Sequence, residues 1–503
     1  MSDYFLYHNV EEGRENKVCL YHGDETFTYA DAVRRSNRAG GALRELGVEV
    51  EDRVLIALPD CPEFVWTWFG ASRAGGVITM VNPLLPADDY RYYLEYTRAR
   101  VAVIHESLLE NFARAAEGAS YLRNVLVVGR ECGRFHSFAE ASGAQGDELT
   151  PADTHRDDPA IWLFTSGSTG HPKGAVHLQH DLPYNTECYA RRVLGVGEDD
   201  LTVSVPKLFF GYATGTNLLF PFAAGGATAL FSERSTPEKL FEMIERYRPT
   251  ILTSVPTMIN SMLNLEGAAR RDLSSLRMCL SAGEALPVEL YRRWVETFGV
   301  EIYDGIGSAE MFHIYITNRP GDVKPGSLGR IVEGYEAEVV DAEGRRVPAG
   351  EMGTLRIKGD SAALCYWQAH EKSKATFAGD WCTTGDQFHV DAEGYYWYHG
   401  RTDEMLKVSG VFVAPAEIEN CLIGHDAVLE AAVVGFDDGS GLVKPKAFLV
   451  LREGREPSDE LAREIKEFVK SRLALYKYPR RVEFVASLPK NDRGKIDRKK
   501  LKQ

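Results

Sequence analysis

The sequence predicts an α/β protein in two parts. These are a large N-terminal domain, residues 1–402, of parallel-sheet α/β subdomains with an added β subdomain, and a small C-terminal α+β domain, residues 403–503. Three observations predict this. Apolar, β-branched runs alternate with helix-like segments through the first half of the chain, at Arg53–Leu58, Val101–His105, Asn124–Val128, Ile161–Phe164 and Ile251–Val255. That rhythm is expected of parallel strands joined by crossover helices. Near residue 330 shorter runs bounded by Gly, Asp and Glu take over, at Glu336–Val340, Gly353–Ile357 and Tyr395–Tyr398, and these predict antiparallel structure. After Gly400-Arg401-Thr402-Asp403, two apolar strands (Leu429–Phe436 and Lys446–Leu451) precede a helix opened by Pro457-Ser458. In that helix Leu461, Ile465, Phe468 and Val469 share one face, with Ser458 as its N-cap. The polar, short junction near 403 can act as a hinge.

Composition narrows the function classes. Of 503 residues, 44% are hydrophobic and 26% charged, as in a folded protein with a substantial core. Asp and Glu number 73 against 58 Lys and Arg, a formal charge of -15, which excludes a broad basic footprint for nucleic acid and leaves any anion site local. The eight cysteines form no C-x-x-C pair and no His/Cys cluster at metal-ligand spacing, so reduced, structural thiols are expected. Met1–Lys17 is polar and acidic, and the apolar run Leu218–Phe231 is too short to span a bilayer. A cytoplasmic location without a membrane span is therefore expected.

The densest chemistry lies at Thr165-Ser166-Gly167-Ser168-Thr169-Gly170-His171-Pro172-Lys173-Gly174. Glycines that admit close backbone approach, hydroxyl and N–H donors, and the charge of Lys173 suit a polyphosphate, placed beyond the carboxyl end of a strand in an α/β sheet. Pro172 and Gly174 occupy the positions where a Walker A loop needs Gly and Ser or Thr, so a P-loop kinase or GTPase is disfavoured. Further on, Asp386 offers two acceptor oxygens suited to a ribose diol. The tail from Pro489 to Gln503 carries seven Lys and Arg against two Asp.

The decad resembles the phosphate loop of the adenylate-forming superfamily, which includes acyl-CoA synthetases, adenylation domains and luciferases. Further motifs follow in the family's order. Ser281-Ala282-Gly283-Glu284-Ala285-Leu286 and Asp304-Gly305-Ile306-Gly307-Ser308-Ala309-Glu310 resemble the segments along adenine. Thr384-Gly385-Asp386, Gly394-Tyr395 and Gly400-Arg401-Thr402-Asp403 resemble the ribose and hinge region, and Pro489-Lys490-Asn491-Asp492-Arg493-Gly494-Lys495 resembles the catalytic-lysine loop. The resemblance implies a C-terminal domain that rotates about Asp403. It also implies ATP as substrate, magnesium at Glu310, Lys495 and Lys173 as catalytic cations, Asp386 and Arg401 on the ribose, and coenzyme A entering past Ser409 and Gly410. Lys477 and Arg480 are candidates for the CoA 3′-phosphate. Two departures stand out: Ile306 replaces an aromatic adenine stack, and Ala309 replaces a hydroxyl.

Within the superfamily, Lys207–Tyr212, Asp304–Ile314, Leu406–Pro415, Val81–Leu85 and Asp88–Tyr92 resemble the benzoyl-CoA ligase group. The acyl pocket implied is small and flat, at Tyr212, Gly283, Gly305, Ile306 and His313, with the glycines leaving a slot for a planar ring. An ATP-dependent aryl-CoA ligase with acyl-AMP as intermediate is therefore expected. The alternatives are transfer to a carrier-protein phosphopantetheine, a short- or medium-chain acyl-CoA synthetase, and a nucleotide-binding regulator without catalysis. The partners expected are a small carboxylic acid, ATP and CoA, with homodimerisation compatible and no nucleic acid.

Overall fold

The computed structural model describes residues 1–165, 171–402, 404–408, 411–437, 443–490 and 496–502, the side chains of 407, 411, 412 and 499 excepted. The five runs read as strands in the first half all form strands, at Arg53–Ala57, Val101–His105, Asn124–Val128, Pro159–Thr165 and Ile251–Ser254. Four of them lie in one sheet, where Pro159–Thr165, Val77–Met80, Arg53–Ala57, Val101–His105 and Asn124–Val128 run parallel in that spatial order. A second sheet carries Ile302–Gly307, Met278–Ala282, Ile251–Ser254, Leu201–Ser204, Ala227–Leu230 and Val18–His22 in parallel, with antiparallel strands at both edges. The parallel strands are apolar throughout because helices cover them: Val54, Leu55 and Ile56, for example, are wholly buried. The crossover helix Pro237–Tyr247 shows the local logic, with Thr236 accepting the Lys239 N–H as N-cap and Pro237 in the first turn.

The antiparallel subdomain read from residue 330 onward is also present. Glu336–Val340, Gly353–Lys358 and Trp381–Val390 pair antiparallel, joined by Tyr396–Arg401. The last strand runs three residues beyond its predicted end, which sets Arg401 opposite Asp386 in the ladder. At the C-terminus, Val428–Asp437, Val443–Leu451 and Arg481–Phe484 form a separate sheet, against which helices Pro415–Ile423 and Asp459–Lys470 pack. The second helix behaves as its sequence predicts. Ile465 and Val469 are wholly buried, and Ser458 Oγ accepts the Leu461 N–H at 3.1 Å. The two parts touch where Asn260 Nδ2 donates to the Leu429 carbonyl at 3.0 Å and Arg452 Nη1 to Asn264 Oδ1 at 2.7 Å.

One strand departs from the expected topology. The phosphate-loop decad does not lead into a crossover helix: the strand Lys173–Leu178 returns antiparallel beside Pro159–Thr165. Thr165 faces Lys173 in register, and the two-residue strand Cys365–Tyr366 closes the sheet on the far side of Lys173–Leu178. All eight cysteines are free thiols, and no helix among the described residues is long and apolar enough to cross a membrane.

Candidate active site

The described residues just after the loop are gripped by helix Ala87–Thr97. Tyr92 donates its phenol to the Pro172 carbonyl at 2.7 Å and stacks on His171 with 4.6 Å between ring centroids. One turn later Tyr96 stacks on Tyr92, accepts the Gly174 N–H at 3.1 Å and donates to the Trp367 carbonyl at 2.7 Å. The i, i+4 spacing puts both rings on one helix face. Ser166, Gly167, Ser168, Thr169 and Gly170, assigned to ATP by the sequence, lie outside the described residues.

Beside the hairpin stands the turn Ala309–Met311, which carries Glu310. His177, on the strand that starts with Lys173, donates from Nε2 to the Ala309 carbonyl at 2.6 Å. Its Nδ1 lies 2.7 Å from Asp181 Oδ2, and both side chains are wholly buried. Both ring nitrogens thus face oxygen atoms, which fixes the orientation of the ring. From the other side, the Tyr366 phenol donates to Glu310 Oε1 at 2.5 Å and the Ala363 N–H to the Glu310 carbonyl at 2.8 Å. Among the described residues no cation pairs with the Glu310 carboxylate, and no group of three or more His, Cys, Asp or Glu is arranged to hold a metal ion. A single uncommitted anion of this kind fits magnesium carried largely by phosphate oxygens.

The two segments expected to lie along adenine are at the ends of neighbouring strands, where Ser281 pairs with Asp304 and Ala282 with Gly305. Asp304 is buried, its Oδ1 has no hydrogen-bond partner, and burial pushes its carboxyl up to about 8, so it is mainly neutral at pH 7. Glu284 accepts the Thr257 N–H at 3.1 Å and its hydroxyl at 2.7 Å, at the start of helix Pro256–Leu263. Ser308 caps the Glu310 turn with its hydroxyl buried and unpartnered. The two glycines expected to leave a slot have local reasons of their own. Gly283 adopts φ +89°, which favours glycine, and a Cβ on Gly305 would sit 2.8 Å from the Ile316 carbonyl oxygen.

Of the residues predicted for the acyl pocket, Tyr212 and His313 share one aromatic cluster. His313 donates from Nε2 to the Tyr212 carbonyl at 3.0 Å, and its ring lies 4.7 Å from Phe220, 5.3 Å from Tyr212 and 5.6 Å from Tyr189. Burial pulls His313 down to about 4, so it is neutral, with Nδ1 left as an unpartnered acceptor. The Tyr212 hydroxyl is likewise buried and unpartnered, and Ile306 packs against the same core. Two buried polar atoms inside an apolar wall are what a polar or planar ligand satisfies.

On the remaining side, Arg401 Nη1 lies 3.5 Å from Asp386 Oδ1. Asp403, Ser409, Gly410 and Lys495 lie outside the described residues. The segment after Lys495 is anchored by Arg498, which bonds Glu419 at 2.8 and 3.0 Å and Glu404 at 3.3 Å. Lys477, a candidate for CoA phosphate, is instead paired with Glu417 at 2.6 Å, and Arg480 lies over the Tyr478 ring at 3.9 Å. Sequence reasoning missed Tyr366, Tyr96, His177 and Asp181. For His177 a signal existed: period-2 alternation puts it on the same strand face as Lys173.

Comparison with known proteins identifies the family. Benzoate–CoA ligase of Thauera aromatica is 44% identical over 503 residues, covering 100% of this chain and 95% of that protein. The 4-hydroxybenzoate–CoA/benzoate–CoA ligase of Rhodopseudomonas palustris is 39% identical, covering 99% and 93%. A crystal structure of an anthranilate CoA ligase with anthranoyl-AMP superposes with a TM-score of 0.96 at 42% identity, covering 99% and 96%. A benzoate CoA ligase from Burkholderia xenovorans LB400 gives 0.93 at 41% identity, covering 100% and 99%. Residues 6–367 match the AMP-binding enzyme family and residues 417–495 its C-terminal domain, so the polyphosphate hairpin, the Glu310 turn and the tail anchored by Arg498 are those of a chain that belongs to the AMP-binding enzymes, in their benzoyl-CoA ligase group.

Proposed function

We propose that this protein is an AMP-forming ligase that joins a benzoate-like aromatic acid to coenzyme A. The observation that carries the reading is the buried aromatic cluster of Tyr212, Phe220 and His313, joined by Ile306, whose strand also carries Asp304 and leads into the Glu310 turn. Acid and nucleotide then meet along one strand. The relatives named for benzoate and anthranilate support a flat ring as the occupant.

In the first step a carboxylate oxygen bonds to the α-phosphorus of ATP, the bond from that phosphorus to the bridging oxygen breaks, and pyrophosphate leaves. Two anions must approach in line, so the residues act by holding charge and geometry. Lys173 and the hairpin tip bind phosphates, Asp386 and Arg401 the ribose, and residues 283–285 and 304–309 the adenine. Lys495 stabilises the pentacoordinate centre. Magnesium, held through Glu310, supplies charge neutralisation on the phosphates. In the second step the CoA thiol gives up its proton, its sulfur attacks the acyl carbon, and AMP departs with the carboxylate-derived oxygen. For this the domain 403–503 turns about Asp403, withdrawing Lys495 and bringing in Ser409 and Gly410. We place the enzyme in the cytoplasm.

The test is acid-dependent AMP release with ATP, magnesium and CoA over benzoate, its hydroxy and amino derivatives, cinnamate, phenylacetate and fatty acids. Strong turnover on a benzoate is expected. Turnover confined to fatty acids, or adenylate formed without thioester, overturns the reading.

A further inference from the structure

We propose that Tyr366 is a positioning residue that aims the Glu310 carboxylate at the metal-bearing phosphates, while the segment around it fixes the spacing between Glu310 and Lys173. This rests on the assignment of Glu310 above. A glutamate on a short turn can take several rotamers, so a carboxylate that must meet a metal–phosphate unit needs a second group to select one.

Tyr366 has the geometry for that task. Its phenol sits 2.5 Å from Glu310 Oε1 and leaves the other carboxylate oxygen to a cation. Tyr366 is itself held firmly: it is buried, pairs with Ala175 in the edge ladder, and donates its N–H to Ser373 Oγ at 3.0 Å. The same segment holds the backbone of Glu310 through Ala363, and that of Met311 through Ser361 Oγ at 2.9 Å. Because its ladder partner is the strand Lys173–Leu178, the anionic and cationic ends of the polyphosphate site share one rigid frame. His177 closes the frame by pinning Ala309 from that strand.

The experiment compares wild type, Tyr366→Phe and Glu310→Gln by three readouts. These are the magnesium dependence of AMP formation, Mn2+ binding followed by electron paramagnetic resonance in the presence of α,β-methylene-ATP, and thioester formation from presynthesised benzoyl-AMP. Tyr366→Phe should weaken both metal readouts about tenfold, as loss of an outer-shell partner does. Thioester formation and melting temperature should stay near wild type. Metal readouts unchanged in Tyr366→Phe, alongside a loss in Glu310→Gln, overturn the proposal alone. No change in Glu310→Gln overturns the magnesium assignment first and the proposal with it. If the phenylalanine variant does not fold, Tyr366→His, which still offers an N–H, is set against Tyr366→Leu. Tighter Mn2+ binding in the histidine variant supports the role, and equal binding overturns it.

Discussion

Two regions of the molecule are each assigned a charged group for the same nucleotide in the proposed function, and they are built differently. The Glu310 turn is fastened by buried hydrogen bonds from a phenol, an imidazole and a backbone N–H, all tied to a strand ladder. The tail that carries Lys495 is fastened by ion pairs: Arg498 with Glu419 and Glu404, and nearby Lys477 with Glu417. Short, oriented hydrogen bonds fix direction, and of the Arg498 pairs the buried one with Glu419 is the firmer, whereas the more exposed one with Glu404 tolerates a change of partner. The difference suits the proposed cycle, in which Glu310 keeps its place through both half-reactions and Lys495 must leave after the first. Glu404, directly after the proposed pivot, is the partner best placed to be exchanged.

The comparison can be broken or sharpened by four measurements. Lys495→Ala should slow adenylation by about 10²–10³-fold, as loss of a transition-state charge contact does, while thioester formation from presynthesised acyl-adenylate is largely spared. Equal loss in both half-reactions, measured by quenched flow, would refute the idea that the tail withdraws. Arg498→Met leaves Glu419 buried without its counter-ion, and burial already pushes that carboxyl up, so chemical denaturation should show about 3 kcal/mol lost from the C-terminal domain. A loss under 1 kcal/mol would mean that the tail is not held by this pair.

Asp304→Asn tests the buried side of the comparison through pH. The folded carboxyl is raised from 3.8 to about 8, so the native state keeps a proton that the unfolded state has lost above about pH 4. Native stability therefore falls as pH rises from about 4 to about 8. The asparagine variant, lacking that slope, should melt about 2–4 °C above wild type at pH 8 and level with it near pH 4. Parallel melting curves across that range would contradict the neutral carboxyl. The smallest effect belongs to Lys477→Ala, where a surface pair accounts for about 0.5 kcal/mol and the KM for CoA should hardly move. A severalfold rise in that KM would return Lys477 to the CoA site.

Much of the fold was legible because it depends on local pattern. The run Val101–His105 is a strand with the bounds its sequence predicts, and Ser458 caps the helix that its sequence announces. What escaped depends on contacts far apart in the chain. The return of Lys173–Leu178 beside Pro159–Thr165 is the local exception, since a Gly-rich turn does not report whether the chain after it pairs back or crosses over. Tyr366 and Glu310 are 56 residues apart, and an isolated tyrosine before a tryptophan carries no mark of its partner. The aromatic cluster was half visible: Tyr212 and His313 followed from a resemblance, while Tyr189 and Phe220 join them only through folding.

The hairpin register also makes the loop a ruler with parity. Thr165 and Lys173 are ladder partners, so residues 166–172 must span the tip with that number. A deletion that the tip absorbs, with Thr165 and Lys173 still paired, leaves every face from 173 to 178 unchanged, whereas one that slips the register by a residue turns each of those side chains to the opposite face, because strand faces alternate. Lys173 would leave the phosphates and His177 would leave Ala309 in the same stroke. Shortening of this loop should therefore be tolerated until the register slips, a threshold that can be read from a deletion series without any knowledge of which acid the enzyme prefers.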